Sequence, residues 1–164
     1  KASQRLRRPG EIVATRQGTC LDLALLLSAC LEWIGVYPVI FLINGHAFPG
    51  YWRSEEDYRA FYDPKKVVDR PAPEAVLERP AASPPGVQRR WMSGSQAAVA
   101  VLREVQSGRL IPLETVWLTD GHSFAEALEA GRRNLYEPGA FEYLVDVQRA
   151  REHGVTPLPL PDKV

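Results

Sequence analysis

The chain has few of the residues that make disulfides or metal sites, and it has no excess of charge of either sign. Its 164 residues include two cysteines and three histidines, and 20 Lys and Arg balance 20 Asp and Glu. A net charge of zero argues against binding a polyanion through bulk charge, and no Cys or His pair has the local spacing of a zinc site. We therefore expect no cofactor, no metal and no nucleic-acid partner for this domain, and we interpret the basic residues Arg5, Arg7, Arg8 and Arg16 as a solvated arm.

The small number of cysteines also bears on the cellular compartment. If Cys20 and Cys30 lie on one helix, they are about 15 Å apart, which is too far for a disulfide. This favours a reducing compartment, the cytoplasm, with Cys30 as a small core residue. Because no apolar stretch resembles a signal segment, we expect no membrane partner.

Composition indicates one domain. With 45% hydrophobic residues the chain is long enough for a single buried core over residues 1–164. Residues 54 to about 90 show no sustained period and become rich in Pro and Ala, so we interpret them as a partly flexible insertion. From about residue 156 the chain is a Pro-rich tail of linker composition. Since it also begins at Lys1, we expect a domain of a longer protein.

The hydrophobic pattern alternates helices with strands. Residues 20 to about 34 are apolar on nearly every face, which predicts a helix surrounded by protein, and Thr19 with Asp22 has the spacing of a capping box. Pro49 argues that the second strand is at an edge or bulged. The class is therefore α+β, a helix packed on an antiparallel sheet, with strands at 37–43, 46–52, 109–118 and 141–147 and further helices at 96–106 and 123–135.

Two residues in this pattern indicate thiol chemistry. Cys20 falls on the first turn of the predicted helix, where unpaired backbone N–H groups and the helix dipole favour a thiolate. His46 follows the buried strand and offers a base. Alone, Cys20 could be a buried structural thiol and His46 a turn or core histidine, but their combination is more specific.

The motifs carrying these residues resemble the transglutaminase-like superfamily, in particular its bacterial branch of domains within larger proteins. The resemblance covers most of residues 9–135 apart from the insertion, and its motifs are Gly18-Thr19-Cys20-Leu21-Asp22-Leu23-Ala24, Gly45-His46-Ala47-Phe48, Ile111-Pro112-Leu113-Glu114-Thr115 and Ser123-Phe124-Ala125-Glu126-Ala127 with Gly131. It implies a papain-like core and a Cys-His-Asp triad for acyl transfer. Members include transglutaminases, peptidases, amidases and inactive relatives.

The third residue departs from this family pattern. Glu114 stands in the corresponding place, and a carboxylate one methylene longer can still accept a hydrogen bond from an imidazole N–H. We expect Glu114 to lie on a strand of the core sheet. Asp63, which precedes Pro64, is the rival, although its surroundings lack a strand pattern.

We expect a thiol enzyme that hydrolyses an amide, isopeptide or ester bond through a thioester, with Cys20, His46 and Glu114 as its triad. Its partners would be a protein or peptide substrate and neighbouring domains of the longer chain. Hydrolysis is favoured over cross-linking because neither a second amine site nor a calcium loop is evident. The Cys20 N–H would stabilise the oxyanion, and Gln17 or Gln4 could supply a second donor. The alternative is a catalytically silent module that binds a protein partner.

Overall fold

The computed structural model of the chain describes residues 5–63 and 91–156. Its helices are α1 (Pro9–Thr15), α2 (Cys20–Trp33), α3 (Glu55–Tyr62), α4 (Ser95–Gln106), α5 (Thr115–Thr119), α6 (Phe124–Tyr136) and α7 (Val147–Glu152). Its strands are β1 (Pro38–Ile43), β2 (His46–Trp52), β3 (Trp91–Ser93), β4 (Leu110–Pro112) and β5 (Phe141–Asp146).

The five strands form one antiparallel sheet in the order β3-β5-β1-β2-β4. β1 is central, and Gly45, with a φ of 73°, closes the tight turn that leads into β2. This arrangement confirms the α+β class and the predicted central strand and hairpin.

The central strand is apolar throughout because both faces of the sheet are covered. On one face Phe41 belongs to the larger core cluster with Phe48, Trp52, Leu110 and Leu144. On the other face Ile40 packs with Ala24 of α2. Alternate residues of a strand point to opposite faces, so a strand buried on both sides has no polar alternation.

Pro49 does not mark an edge, so that prediction is wrong. β2 lies between β1 and β4, and Pro49 pairs with Ile40 in register. The Pro49 carbonyl accepts from Leu113 N at 2.9 Å, beyond the last ladder pair, Gly50 with Pro112. The N and O of one strand residue point to the same side. The N–H that proline lacks would therefore point toward β4 at Pro49, beyond the last residue pair of the β2–β4 ladder.

α2 begins and ends where the sequence predicts. Thr19 and Asp22 form the capping box, and Gly35, with a φ of 80°, follows the last turn. The prediction of a helix surrounded by protein is wrong, however, since Trp33 is 90% exposed. Cys30 is exposed as well, which corrects its assignment to the core. Only the side of α2 that carries Ala24 and Ser28 is buried, against the sheet.

Several elements differ from the sequence prediction. The strand expected over 109–118 ends at Pro112, and a short helix, α5, follows. α3 occupies the start of the expected insertion, so that part is not a loop, whereas residues 64–90 and the tail 157–164 lie outside the described residues. Arg7 is not a solvated arm residue, because its guanidinium binds Asp22 of α2 at 3.1 Å. Within the described residues, no helix has the length and apolarity to cross a membrane.

Candidate functional site

Cys20 is the first residue of α2, and its position in the first turn gives it an anion-binding environment. Thr19 accepts from Asp22 N and donates its own N–H back to the Asp22 carboxylate at 2.9 Å. No hydrogen-bond acceptor within the described ranges meets the backbone N–H groups of Cys20 and Leu21. Unpaired N–H groups at a helix start favour negative charge, so these two donors suit a thiolate or an oxyanion.

The Asp22 carboxylate in the same turn is neutralised by its partners. Burial raises the pKa of Asp22, but hydrogen bonds from the backbone of Thr19 and Arg7 and from the Arg7 guanidinium outweigh burial, and the net pKa is lowered. Arg7 donates its backbone N–H at 2.9 Å and its guanidinium at 3.1 Å. Its positive charge offsets a carboxylate that would otherwise repel a thiolate on Cys20.

The direction of α2 places Cys20 at the same end of the sheet as His46. Residues 34–37 join the end of α2 to the start of β1, and Ala24 packs against Ile40. α2 therefore runs back along β1, and its first residue lies toward the β1–β2 turn. His46 begins β2 directly after that turn.

His46 is held by a buried carboxylate. Its Nε2 lies 2.7 Å from Glu114 Oε2, with 27% of the His46 side chain exposed and 2% of the Glu114 side chain. An ionised carboxylate can only accept, so Nε2 carries the proton and donates it to this bond. In the neutral ring Nδ1 is then the basic nitrogen, since the hydrogen bond at Nε2 selects the tautomer.

Glu114 reaches His46 because the chain leaving β4 continues along β2. Gly50 pairs with Pro112, and Leu113 N donates to the Pro49 carbonyl, so the next residue is carried toward the start of β2. We expected Glu114 to lie on a strand, and that prediction is wrong. It is the N-cap of α5, where its Oε1 accepts from Val116 N at 3.1 Å. The expected contact with His46 is present, whereas a catalytic role stays a prediction.

Asn134 of α6 completes the surroundings of this carboxylate and was not identified from the sequence. Its Nδ2 donates to Glu114 Oε2 at 2.8 Å. A signal was available, because Ala127, Gly131 and Asn134 have the spacing of one helix face. That face lies against the residues around Glu114, since Ala127 O accepts from Glu114 N at 3.0 Å.

No hydrogen bond joins Cys20 Sγ to His46 in the part of the chain that the structure describes. Catalytic hydrogen bonds are often long in a protein without substrate and tighten when substrate binds. The arrangement thus contains a positioned base and an anion-stabilising helix start at one end of the sheet.

The other candidate residues lie elsewhere. Asp63 is the C-cap of α3, and it is Glu114 that binds Nε2 of His46. Gln17 is exposed in the segment before α2, and Gln4 lies outside the described residues. Among the tryptophans, Trp52 is buried in the core and Trp91 is 53% exposed. In residues 5–63 and 91–156 no cluster of three or more His, Cys, Asp or Glu side chains could hold a metal ion.

Trp117 lies on α5, the short helix that Glu114 caps. The His122 ring packs 4.3 Å from its ring, and the Arg133 guanidinium lies 5.2 Å from its centre. α5 also contacts α2, and Trp117 is half-buried. Packing accounts for its position without a ligand.

Comparisons with known proteins identify no relative. No protein-family model matches the chain, and neither a curated protein nor a solved structure matches it. The function is therefore argued from the residues of this chain.

Proposed function

We propose that the chain is a cysteine-dependent hydrolase with a papain-like, transglutaminase-type core, acting on an amide, isopeptide or ester bond. The observation that carries the proposal is the 2.7 Å hydrogen bond between His46 Nε2 and the buried Glu114 carboxylate. A buried carboxylate that binds one imidazole nitrogen orients the ring and stabilises its protonated form. The start of α2 at the same end of the sheet supports Cys20 as the nucleophile.

The proposed reaction begins with transfer of the Cys20 Sγ proton to His46 Nδ1. The thiolate attacks the carbonyl carbon, and the backbone N–H of Cys20 donates to the oxyanion that forms. His46 then returns the proton to the leaving amine or alcohol, and a thioester remains. Water, deprotonated by His46, hydrolyses the thioester, which releases the carboxylic acid and restores the thiol.

The substrate class and cellular setting belong to the same proposal. The substrate is a protein or peptide, and the chain acts beside other domains of a longer cytoplasmic protein. Cys20 at the start of α2 is half-buried and His46 is 27% exposed, so both side chains are partly accessible, which supports access by a macromolecular substrate.

A second candidate function is a silent binding module with the same fold. Two observations favour it. Cys20 and His46 form no hydrogen bond within the described residues, and the end of α2 presents the exposed apolar side chains of Trp33 and of the C-cap residue Ile34. Solvent-exposed apolar side chains grouped on one helix are typical of a surface that another protein covers.

Alkylation separates the two functions, because each molecule contains its own reference thiol. Cys30 is exposed and has no described base, so it should react with iodoacetamide only as fast as an ordinary thiol. The hydrolase proposal predicts that Cys20 reacts faster than Cys30 below neutral pH, as measured by mass spectrometry of the labelled peptides. His46→Ala should abolish this difference, and His122→Ala is the matched control. Equal slow labelling of both thiols would favour the binding module.

A further inference from the structure

We infer that Asn134 is a positioning residue of this site, whose side-chain amide holds the Glu114 carboxylate in the orientation that His46 requires. The inference rests on the proposed function, since it assigns a role within the same arrangement. Asn134 Nδ2 and His46 Nε2 both bind Glu114 Oε2, at 2.8 and 2.7 Å.

The hydrogen bonds of Glu114 show what Asn134 contributes. Three N–H groups converge on the two carboxylate oxygens, with Val116 N on Oε1 and the His46 and Asn134 side chains on Oε2. The carboxylate is nearly fully buried, so each donor replaces water that the site excludes. Asn134 is a neutral donor, which stabilises the carboxylate without supplying a competing positive charge. The negative charge therefore remains available to a protonated His46.

Geometry explains why a glutamate needs this second donor. A Glu side chain has one more rotatable bond than Asp, and its carboxylate can occupy more positions unless it is restrained. Val116 N restrains one oxygen from the backbone of α5. Asn134 restrains the other from α6, and it is the oxygen that His46 uses. Without Asn134, the oxygen facing His46 would keep only the imidazole itself as a partner.

The fold is built to bring Asn134 to this position. On the same face of α6, Gly131 packs directly against the backbone before Glu114. A Cβ at Gly131 would lie 3.0 Å from the carbonyl carbon of Pro112 and 3.2 Å from Leu113 N. The absence of a side chain thus allows α6 to approach the segment closely, and Asn134 follows less than one turn later.

Nuclear magnetic resonance of the histidine rings tests the inference directly, since the chain has only three histidines. In the wild type His46 should show a proton on Nε2. His153 is an internal reference of the opposite tautomer, because its Nδ1 lies 2.7 Å from the Arg149 carbonyl, which can only accept. In Asn134→Ala, His46 should lose its single tautomer while His153 keeps its own.

Thiol reactivity supplies the second measurement. The free energy of one hydrogen bond to a charged group corresponds to a change of roughly 10- to 100-fold in an equilibrium or rate constant. Asn134→Ala should therefore slow Cys20 alkylation below neutral pH by about that factor. Leu135→Val is the matched control, since Leu135 is the next residue of α6, is 1% exposed and belongs to the core cluster. It should lower stability without changing the His46 tautomer or the Cys20 rate. If Asn134→Ala does not fold, Asn134→Ser replaces it, with a hydroxyl too short to span the same distance.

The outcomes distinguish this inference from the proposed function. An Asn134 variant that keeps both the wild-type His46 tautomer and the wild-type Cys20 rate would overturn the inference and leave the hydrolase proposal intact. Equal effects of Leu135→Val would also overturn it, because general destabilisation would then explain the loss. A wild-type Cys20 that reacts no faster than Cys30 would instead refute the proposed function, whatever the histidine tautomers show.

Discussion

Replacing Glu114 by Gln should destabilise the fold by a defined amount, because three donors meet only two acceptor oxygens. A Gln side chain has one acceptor oxygen and one NH₂ group. With its oxygen toward His46 and Asn134 it keeps two hydrogen bonds and turns its NH₂ toward Val116 N. The reverse orientation keeps the Val116 N bond but requires His46 to move its proton to Nδ1 and the Asn134 amide to turn over. The first orientation leaves the His46 and Asn134 side chains unchanged, and its loss is one N-cap hydrogen bond of α5.

Such a loss lowers the free energy of unfolding by about 1–2 kcal/mol. With a urea m value of about 2 kcal/mol/M, the midpoint should fall by about 0.5–1 M. Urea unfolding followed by tryptophan fluorescence measures this shift, since Trp52 is buried in the core. An unchanged midpoint in a variant whose His46 keeps its proton on Nε2 would refute the described hydrogen bonding of Glu114. If nuclear magnetic resonance shows that His46 keeps its proton on Nε2 in this variant, a loss of thiol activation reports the missing charge.

Two further predictions concern stability. Gly131→Ala should lower the free energy of unfolding by about 1–3 kcal/mol, because the added Cβ meets backbone atoms of Pro112. In the same urea assay the control Gly10→Ala should not destabilise the protein, because its Cβ enters open space. A Gly131→Ala protein as stable as the wild type would contradict the close approach of α6. The pKa of Asp22 is lowered in the folded protein, so the stabilisation from its carboxylate is present above the unfolded pKa of about 3.9 and is lost as pH falls through the folded value. Asp22→Asn should therefore reduce the urea midpoint near pH 7 and have a smaller effect near pH 2, and a pH-independent difference would contradict this.

The local signals in the sequence were sufficient for the elements around Cys20 and His46. The Thr19–Asp22 spacing predicts the start of α2, and the uninterrupted apolar run predicts a strand covered on both faces. These signals depend on residues within one turn or one strand, so the predictions do not require knowledge of contacts between distant parts of the chain.

Other features depend on contacts that the local pattern does not contain. Apolar residues all round α2 do not reveal which side the sheet covers, so the exposure of Trp33 and Cys30 was missed. The turn at Pro112 was missed because α5 is too short to show a helical period. By contrast, α3 could have been predicted from the sequence, which we interpreted as an insertion. Ser54 caps this helix, and its apolar residues Tyr58, Phe61 and Tyr62 share one face.

The candidate site shows the same division. The sequence indicates Cys20, His46 and Glu114 because each stands in a recognisable motif, and the His46–Glu114 contact joins residues far apart in the chain. Asn134 belongs to no motif. Its spacing places it on one helix face with Ala127 and Gly131, but its contact with Glu114 depends on the close packing at Gly131, which brings α6 beside that residue.

The central claim is that Cys20 is activated by His46, and the thiolate can be observed directly. In a Cys30→Ser protein Cys20 is the only thiol, so thiolate ultraviolet absorbance followed against pH reports that residue alone. The account predicts thiolate absorbance that persists at neutral and slightly acidic pH and is lost in the additional variant His46→Ala. Absorbance that appears only at alkaline pH, as for a free thiol, and is unchanged by His46→Ala would contradict it.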